Sequence, residues 1–290
     1  MANYTIVTDS SCDLPEALAR ELQLKVVPLS LMMEGKQYLN TTDARGIANR
    51  ALYDRLRAGA MAKTSAANSE DFYALFEPEL EAGRDVLYIG FSSALSATFS
   101  VGANVAGEMM EKYPGRKVYA VDSLCASLGQ GLFVYLLAKR RDAGADIDEL
   151  RDYAENLKLS VCHWFTVEDL QFLRRGGRVS AAAAVIGSIL SIKPVMHVDN
   201  EGRLIPVEKV RGRKASLRAI ADHVEKSMLK RDDQIVFISH GDCEEDAKLI
   251  AGMVEERTGI KAKLIDYVGP VIGSHSGPGT IAVFFLGKER

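Results

Sequence analysis

Cysteine is scarce in this 290-residue chain, and its four thiols, Cys12, Cys125, Cys162 and Cys243, form no paired spacing. A disulfide framework or a thiolate zinc site therefore finds no support, and buried reduced thiols are expected. An excess of one charge is also missing. Lysine and arginine number 36 against 39 aspartates and glutamates, a net charge of −3, so nothing concentrates nucleic acid around the chain. No nucleic-acid partner is expected. The longest apolar runs, such as Gly131–Ala138, are far shorter than the ~20 residues of a membrane span. The first residues reach Asp9 by way of Tyr4-Thr5-Ile6-Val7, without the basic and apolar regions of a secretory leader. A cytoplasmic location is the default expectation. There is no Walker-type lysine loop, dinucleotide glycine fingerprint or carboxylate–histidine metal spacing. Neither a metal nor a cofactor is expected, and an autonomous kinase or dehydrogenase is disfavoured.

What is present is ordinary globular composition, 47% hydrophobic and 26% charged, over about twice the ~150 residues of an average domain. Short β-rich runs alternate with helical patterns in the first half: Tyr4–Thr8, a helix from Pro15, Val26–Leu31, Val86–Phe91, a helix through Met110, and Val118–Val121. That alternation predicts a parallel sheet. Asp13 ahead of Leu14-Pro15 reads as a helix N-cap, which places Asp9, Ser10 and Ser11 on a strand-to-helix loop. Loops at the carboxyl ends of parallel strands are where open α/β sheets bind ligands. A polar excursion over 35–68 interrupts the pattern and predicts a small subdomain or lid with its own short helices. Near Ser160 the pattern changes. Pro194–Val198 and Arg203–Val207 flank Asp199-Asn200-Glu201-Gly202 as an antiparallel hairpin, after an alanine-rich helix expected from Ser180. Two further βα units and a last strand, Ile281–Leu286, follow. The expected fold class is α/β in two domains. Residues 1–160 form an N-terminal parallel-sheet, three-layer domain, and residues 161–290 a C-terminal mixed-sheet domain.

His275 is the most conspicuous candidate site residue. It lies in Gly269-Pro270-Val271-Ile272-Gly273-Ser274-His275-Ser276-Gly277-Pro278-Gly279, where glycines and prolines predict a fixed backbone in place of a packed helix. His163, His197, His223 and His240 stand alone and read as structural. Ser92-Ser93-Ala94-Leu95-Ser96-Ala97-Thr98 follows a strand and opens a helix, so hydroxyls and free backbone N–H groups converge where an anion binds well. Thr64-Ser65, before Asn68, is a turn-and-cap setting. Ser93 and His275 with Asp9 or Asp122 could make a nucleophilic triad, although no Gly-x-Ser-x-Gly elbow surrounds Ser93. Serine and histidine serve equally well for anion recognition, and the residues alone leave both readings open. Two arginine clusters remain, Arg174/Arg175/Arg178 around a Gly-Gly turn and Arg211/Arg213/Lys214 after a strand, suited to a docking surface or a phosphate contact.

Taken in order, these segments resemble the DegV family of bacterial fatty-acid-binding proteins over nearly the whole chain. The matching pieces are Thr8-Asp9-Ser10-Ser11-Cys12-Asp13-Leu14-Pro15, Lys63-Thr64-Ser65, Phe91 through Thr98, Val121-Asp122-Ser123, Phe172 through Ser180, Lys209 through Ala215, and Gly269 through Gly279. The resemblance implies a protein that is not itself an enzyme. It would enclose one long-chain fatty acid between its two domains and present the carboxylate to a separate ATP-dependent fatty-acid kinase, whose acyl phosphate feeds phospholipid synthesis. A transient membrane contact for lipid exchange is a further implied partner. Thr64 and Ser93 match the carboxylate-binding hydroxyls, and His275 the family histidine. Ser65, Ser92, Asp9, Ser10, Asp122, Gly273 and Ser274 fall on the supporting loops. Arg211 matches an arginine associated with phosphoryl transfer, and Arg174, Arg175 and Arg178 a kinase-facing surface. Ala66-Ala67-Asn68 departs from the commoner Gln-Pro-Ser continuation after Thr64-Ser65. The alternative is a serine hydrolase or acyltransferase using Ser93 and His275. Burying an acyl chain contributes ~0.8 kcal/mol per methylene, so about a dozen supply ~10 kcal/mol before ordering costs. Hydroxyls and an imidazole would offset the cost of burying the carboxylate.

Overall fold

The computed structural model describes residues 3–43, 45–180, 191–288 and 290. Four strands, in the order Lys25–Val27, Tyr4–Asp9, Asp85–Gly90 and Val118–Asp122, form a parallel sheet. Six more, in the order Leu204–Arg211, Ile192–Val198, Val161–Thr166, Ile281–Leu286, Phe237–His240 and Leu264–Tyr267, form a mixed sheet. All its pairings are antiparallel except that of Phe237–His240 with Leu264–Tyr267. The fold is thus α/β, with a parallel sheet preceding a mixed one.

Strand alternation sorts side chains into layers. In the parallel sheet Val7, Val86 and Tyr88 point toward helices Ser69–Glu81 and Thr98–Lys112, where they meet Phe72, Phe76 and Val105. Ile6, Leu87 and Ile89 point the other way, into a core shared with Phe284 and Leu286 of the mixed sheet. Val283 and Phe285 face the opposite side, under helices Arg213–Ser227 and Glu244–Thr258. Helix Leu128–Asp142 lies in the middle layer and packs on three strands of the mixed sheet and on the Ser10–Cys12 turn. Its run from Leu128 to Tyr135 is buried on every side, which explains an apolar stretch too short for a membrane. Among the described residues, no helix is long and apolar enough to cross one.

The polar excursion is built differently from expectation. Val26–Leu31 is not one strand: Pro28, which has no N–H to give a ladder, separates Lys25–Val27 in the parallel sheet from Leu29–Met33. The latter starts a separate antiparallel sheet with Lys36–Asn40 and Ala62–Ser65. A single helix among the described residues of this region, Asn49–Arg57, packs Leu52, Tyr53 and Leu56 onto Leu31 and Met33. Asn68 then caps helix Ser69–Glu81 in a reciprocal box with Asp71.

Two local expectations are corrected. Asp13 does not cap a helix. It sits in the left-handed region at φ 53°, and helix Glu16–Glu21 begins behind Pro15 without a side-chain cap. The segment around His275 does form a helix, Pro270–Ser276, because Pro270 occupies a first-turn position that needs no N–H and Gly277 (φ 79°) ends it. The helix expected from Ser180 falls on residues 181–190, outside the described residues.

Candidate functional site

Between the two sheets lies a cavity of about 280 Å³. Its walls are mostly apolar: Leu29, Phe91, Leu95, Phe165, Leu173, Val198, Val271, Ile272 and Phe284 come from both halves of the chain. His163 also lines it, but is committed to structure. Its Nε2 accepts from the Ala126 N–H at 3.2 Å, so the proton resides on Nδ1, which donates to the Val161 carbonyl at 2.9 Å. Burial holds this ring's pKa well below the usual imidazole range.

One end of the cavity is polar. Thr64 is at the end of the last strand of the small sheet and His275 in the last turn of Pro270–Ser276; Thr64 Oγ1 and His275 Nε2 are 2.7 Å apart. Burial, and then the nearby Arg178 guanidinium, push the His275 pKa down to about 4, so the ring is neutral near pH 7. Arg178 is half-buried at the same wall, its Nε donating to the Leu95 carbonyl at 3.1 Å and its Nη1 to that of Gly176. Ser65 and Ser96 also line the cavity, Ser96 Oγ accepting from the Thr98 N–H at 3.2 Å. Gly176 lies against the imidazole, where a Cβ would stand 2.2 Å from Nδ1. A second cavity of about 340 Å³ shares Thr64, Arg178 and His275 with the first and adds Lys63, Arg175, Met61 and Phe172. The Thr64–His275 pair thus stands between an apolar chamber and a basic vestibule. Hydroxyls, a neutral imidazole donor and a guanidinium form a set that holds a carboxylate or another small anion.

The remaining candidates fall into three groups. Asp9 and Asp122 organise backbone. Buried Asp9 accepts from the N–H groups of Ser11 (3.1 Å) and Phe91 (2.9 Å), from Gln130 Nε2 and from the Tyr88 hydroxyl (both 3.2 Å). Asp122 accepts from the N–H of Leu124 at 3.0 Å and that of Ser93 at 3.3 Å. A second group fastens elements together. Ser10 Oγ accepts from the Leu29 N–H at 2.9 Å and from Asn40 Nδ2 at 3.1 Å, tying the small sheet to the parallel one. Ser92 Oγ donates to the Gly202 carbonyl at 2.9 Å, which docks the Asp199–Gly202 turn onto the first half. Ser274 Oγ donates to the Pro270 carbonyl, and Gly273 leaves room for the Tyr53 hydroxyl, which donates to Val268 O at 2.7 Å. The third group lies away from the cavity. Ser93 is exposed and does not line it, and the backbone N–H expected to be free for an anion is turned to Asp122. Arg174, Arg175 and Arg211 are exposed, Arg175 on the vestibule and Arg211 at the end of strand Leu204–Arg211.

The family model described as "uncharacterised protein, DegV family" matches residues 3–288. The chain belongs to the DegV family. A DegV domain-containing protein of Clostridium perfringens is 42% identical over 290 residues, covering 100% of this chain and 99% of that one. Among solved structures, a DegV family protein from Thermus thermophilus described by its fatty-acid binding superposes with a TM-score of 0.87 at 30% identity. It covers 98% of this chain and 99% of that one. DegV of Bacillus subtilis, described as a fatty-acid-binding protein, gives 0.82 at 28% identity, covering 99% and 100%.

Within this DegV chain, three features of the site escape a reading of sequence. Ser96 lines the cavity whereas Ser93 does not, and only the shape of the turn before Thr98 separates them. Arg178 belongs to the wall beside His275, unlike its exposed neighbours Arg174 and Arg175. Gly176, next to Gly177 (φ 73°), has an ordinary helical backbone and is needed for space, a signal invisible in a Gly-Gly pair.

Proposed function

We propose that this chain holds one long-chain fatty acid in the cavity between its sheets, with the carboxylate at Thr64, Ser96, His275 and Arg178, and presents that head group to a separate ATP-dependent fatty-acid kinase. The acyl phosphate formed there would feed phospholipid synthesis. The observation that carries the reading is the chamber itself, lined mostly by apolar side chains and bounded at one end by the Thr64–His275 pair, behind which a basic vestibule opens. Methylenes supply affinity at ~0.8 kcal/mol each, and the polar end supplies orientation. The Thermus and Bacillus relatives, described as fatty-acid binders, support the ligand class. Carrier action in the cytoplasm, with transient membrane contact during exchange, completes the proposal. The hydrolase reading is not favoured, since the described hydrogen-bond partner of the His275 ring is Thr64 while Ser93 is exposed.

Lipid extraction and denaturing mass spectrometry of freshly purified protein test this reading. Release of an intact fatty acid from an unmodified polypeptide is expected. An empty protein that hydrolyses acyl esters, with activity lost on Ser93→Ala, would overturn it.

A further inference from the structure

A single guanidinium joins three segments of the chamber wall. Arg290 Nε donates to the Val161 carbonyl at 3.1 Å, and its Nη1 to those of Leu124 (2.6 Å) and Asp199 (3.2 Å). Its Nη2 donates to the carbonyls of Lys158 (2.8 Å) and Ser123 (3.2 Å) and to Cys125 Sγ (2.9 Å). Each segment continues directly into the cavity. Ala126 and Ser127 of loop 123–127, His163 and Phe165 of strand Val161–Thr166, and Val198 and Leu204 on either side of the Asp199–Gly202 turn all line it, whereas Arg290 does not. Loop 123–127 leaves the parallel sheet after strand Val118–Asp122, and the other two segments belong to the mixed sheet. The contact therefore spans the junction that the cavity occupies.

The backbone of the loop gives a second, independent observation. Leu124 and Ser127 both sit at φ 53°, and the ψ of Ser127 is −145°. Conformations of this kind disfavour residues with a Cβ and persist only where the surroundings over-determine them. The surroundings here are the guanidinium and the Asp199–Gly202 turn, which packs so closely that a Cβ on Gly202 would stand 3.2 Å from Leu124 Cα. Releasing Arg290 lets the loop relax, which offsets part of the cost of the broken hydrogen bonds. Movement of some part of the wall is required for exchange: Phe91, Phe165, Val198 and Phe284 are each at most 8% exposed, so a ligand lying among them is enclosed.

We propose that Arg290 is a clasp on the chamber wall, whose release admits and discharges the ligand, so that it sets the rate of lipid exchange and not the affinity. The inference rests on the fatty-acid reading and adds to it the residue that governs opening. A group that holds the wall shut without touching the ligand slows entry and exit alike, and their ratio is preserved while the closed form predominates. Loss of a group that grips the ligand, by contrast, acts mainly on exit.

The test loads delipidated full-length protein with stearic acid, chases it with perdeuterated stearic acid, and follows exchange by native mass spectrometry, with affinity measured by isothermal titration. Arg290→Ala should exchange about tenfold or more faster than the parent, because a charged donor set has been removed from the closed form alone. Its Kd should stay within about twofold of the parent's. Arg290→Lys keeps the charge and loses the planar fork, so its exchange rate should fall between the two at a melting temperature close to the parent's; it carries the test if the alanine variant does not fold. Exchange at the parent's rate in a folded variant would overturn the proposal. So would faster exit matched by an equal loss of affinity, the behaviour of a chamber loosened throughout. Failure of the parent to take up stearic acid would instead overturn the fatty-acid reading, and this inference with it.

Discussion

Thr64 Oγ1 lies 2.7 Å from His275 Nε2, although 211 positions separate the two residues in the chain. The small antiparallel sheet delivers one and the helix Pro270–Ser276 the other, so the pair exists only when the excursion is folded against the second half. With its pKa near 4, the imidazole has one N–H and one lone pair, and Thr64 takes one of them. An arriving carboxylate would compete for this hydrogen bond and supply the negative charge that the site lacks.

That charge should be measurable on the histidine. An anion within ~4–6 Å favours the protonated ring, whereas in the unliganded chain burial and Arg178 disfavour it. NMR titration is expected to show the His275 pKa rising by about one unit or more when fatty acid is added, and less in Thr64→Val, where the head group is held less firmly. An unchanged pKa on loading would remove the carboxylate from this end of the cavity.

Ser96 and Ser93 offer a sharper contrast. Ser96 lines the cavity, and Ser93 is exposed outside it. Deleting a hydrogen bond to a charged group costs ~1.5–3 kcal/mol, so Ser96→Ala should weaken fatty-acid affinity about tenfold or more while Ser93→Ala changes it little. Isothermal titration of both variants decides the matter, and the reverse order would transfer the head group to Ser93.

Gly176→Ala tests the packing that holds the imidazole. The backbone there is helical, at φ −72°, so alanine is tolerated conformationally. Its Cβ, however, would stand 2.2 Å from His275 Nδ1, and the ring must move away from Thr64. Fatty-acid retention is expected to fall about as far as in His275→Ala, with melting temperature lowered by only a few degrees. Full retention would show that the orientation of the ring is unimportant.

How much of this was legible in the sequence depends on the kind of signal. The alternation of Tyr4–Asp9, Asp85–Gly90 and Val118–Asp122 with helices is a period-two and period-3.6 pattern, and it yields the parallel sheet directly. Pro28 was readable in principle, yet Val26–Leu31 is continuously β-prone, and only the missing N–H in its middle divides it. For His275, glycine and proline composition pointed to a loop, while a proline in the first turn and a glycine just past the end are equally helix punctuation. Side-chain direction was the hardest part. Four hydroxyls crowd 92–98, and whether Ser93 or Ser96 faces inward follows from a turn whose N–H at Ser93 is held by Asp122, 29 residues away.

Asp13 predicts a pH dependence of stability. Burial pushes its pKa from 3.8 up to about 7, against the lowering effect of the Ser127 hydrogen bond. The folded chain therefore keeps a proton that the unfolded chain has released between about pH 4 and 7, so this group's contribution is fully present below pH 4 and lost as pH rises toward 7. His275 runs the other way, its contribution being lost as pH falls from 6.5 toward about 4. Because the two oppose each other, the comparison to make is with Asp13→Asn, which removes only the first. Denaturant titrations should show the parent's stability advantage over Asp13→Asn shrinking between pH 4.5 and 7, by on the order of 1.4 kcal/mol per unit of pH at most. A constant difference would mean that Asp13 is ionised throughout.

Arg211 is expected to act in delivery of the ligand, not in its storage. It is exposed at the end of strand Leu204–Arg211, ahead of Gly212 (φ 93°) and the helix Arg213–Ser227, and it does not line the ligand cavity. Arg213, two residues on, is by contrast held in an ion pair with Asp246 at 2.8 Å. A long exposed guanidinium can grip phosphate in bidentate geometry. Phosphoryl transfer to a carboxylate brings two anionic groups together, and a cation beside them is most effective as charge develops in the transition state. Arg211→Ala should therefore copurify with as much fatty acid as the parent, measured by extraction and mass spectrometry, yet give far less acyl phosphate when mixed with a fatty-acid kinase and ATP. A variant whose bound fatty acid is phosphorylated normally would leave Arg211 as a surface residue, and one that has lost its lipid would move it from delivery to binding.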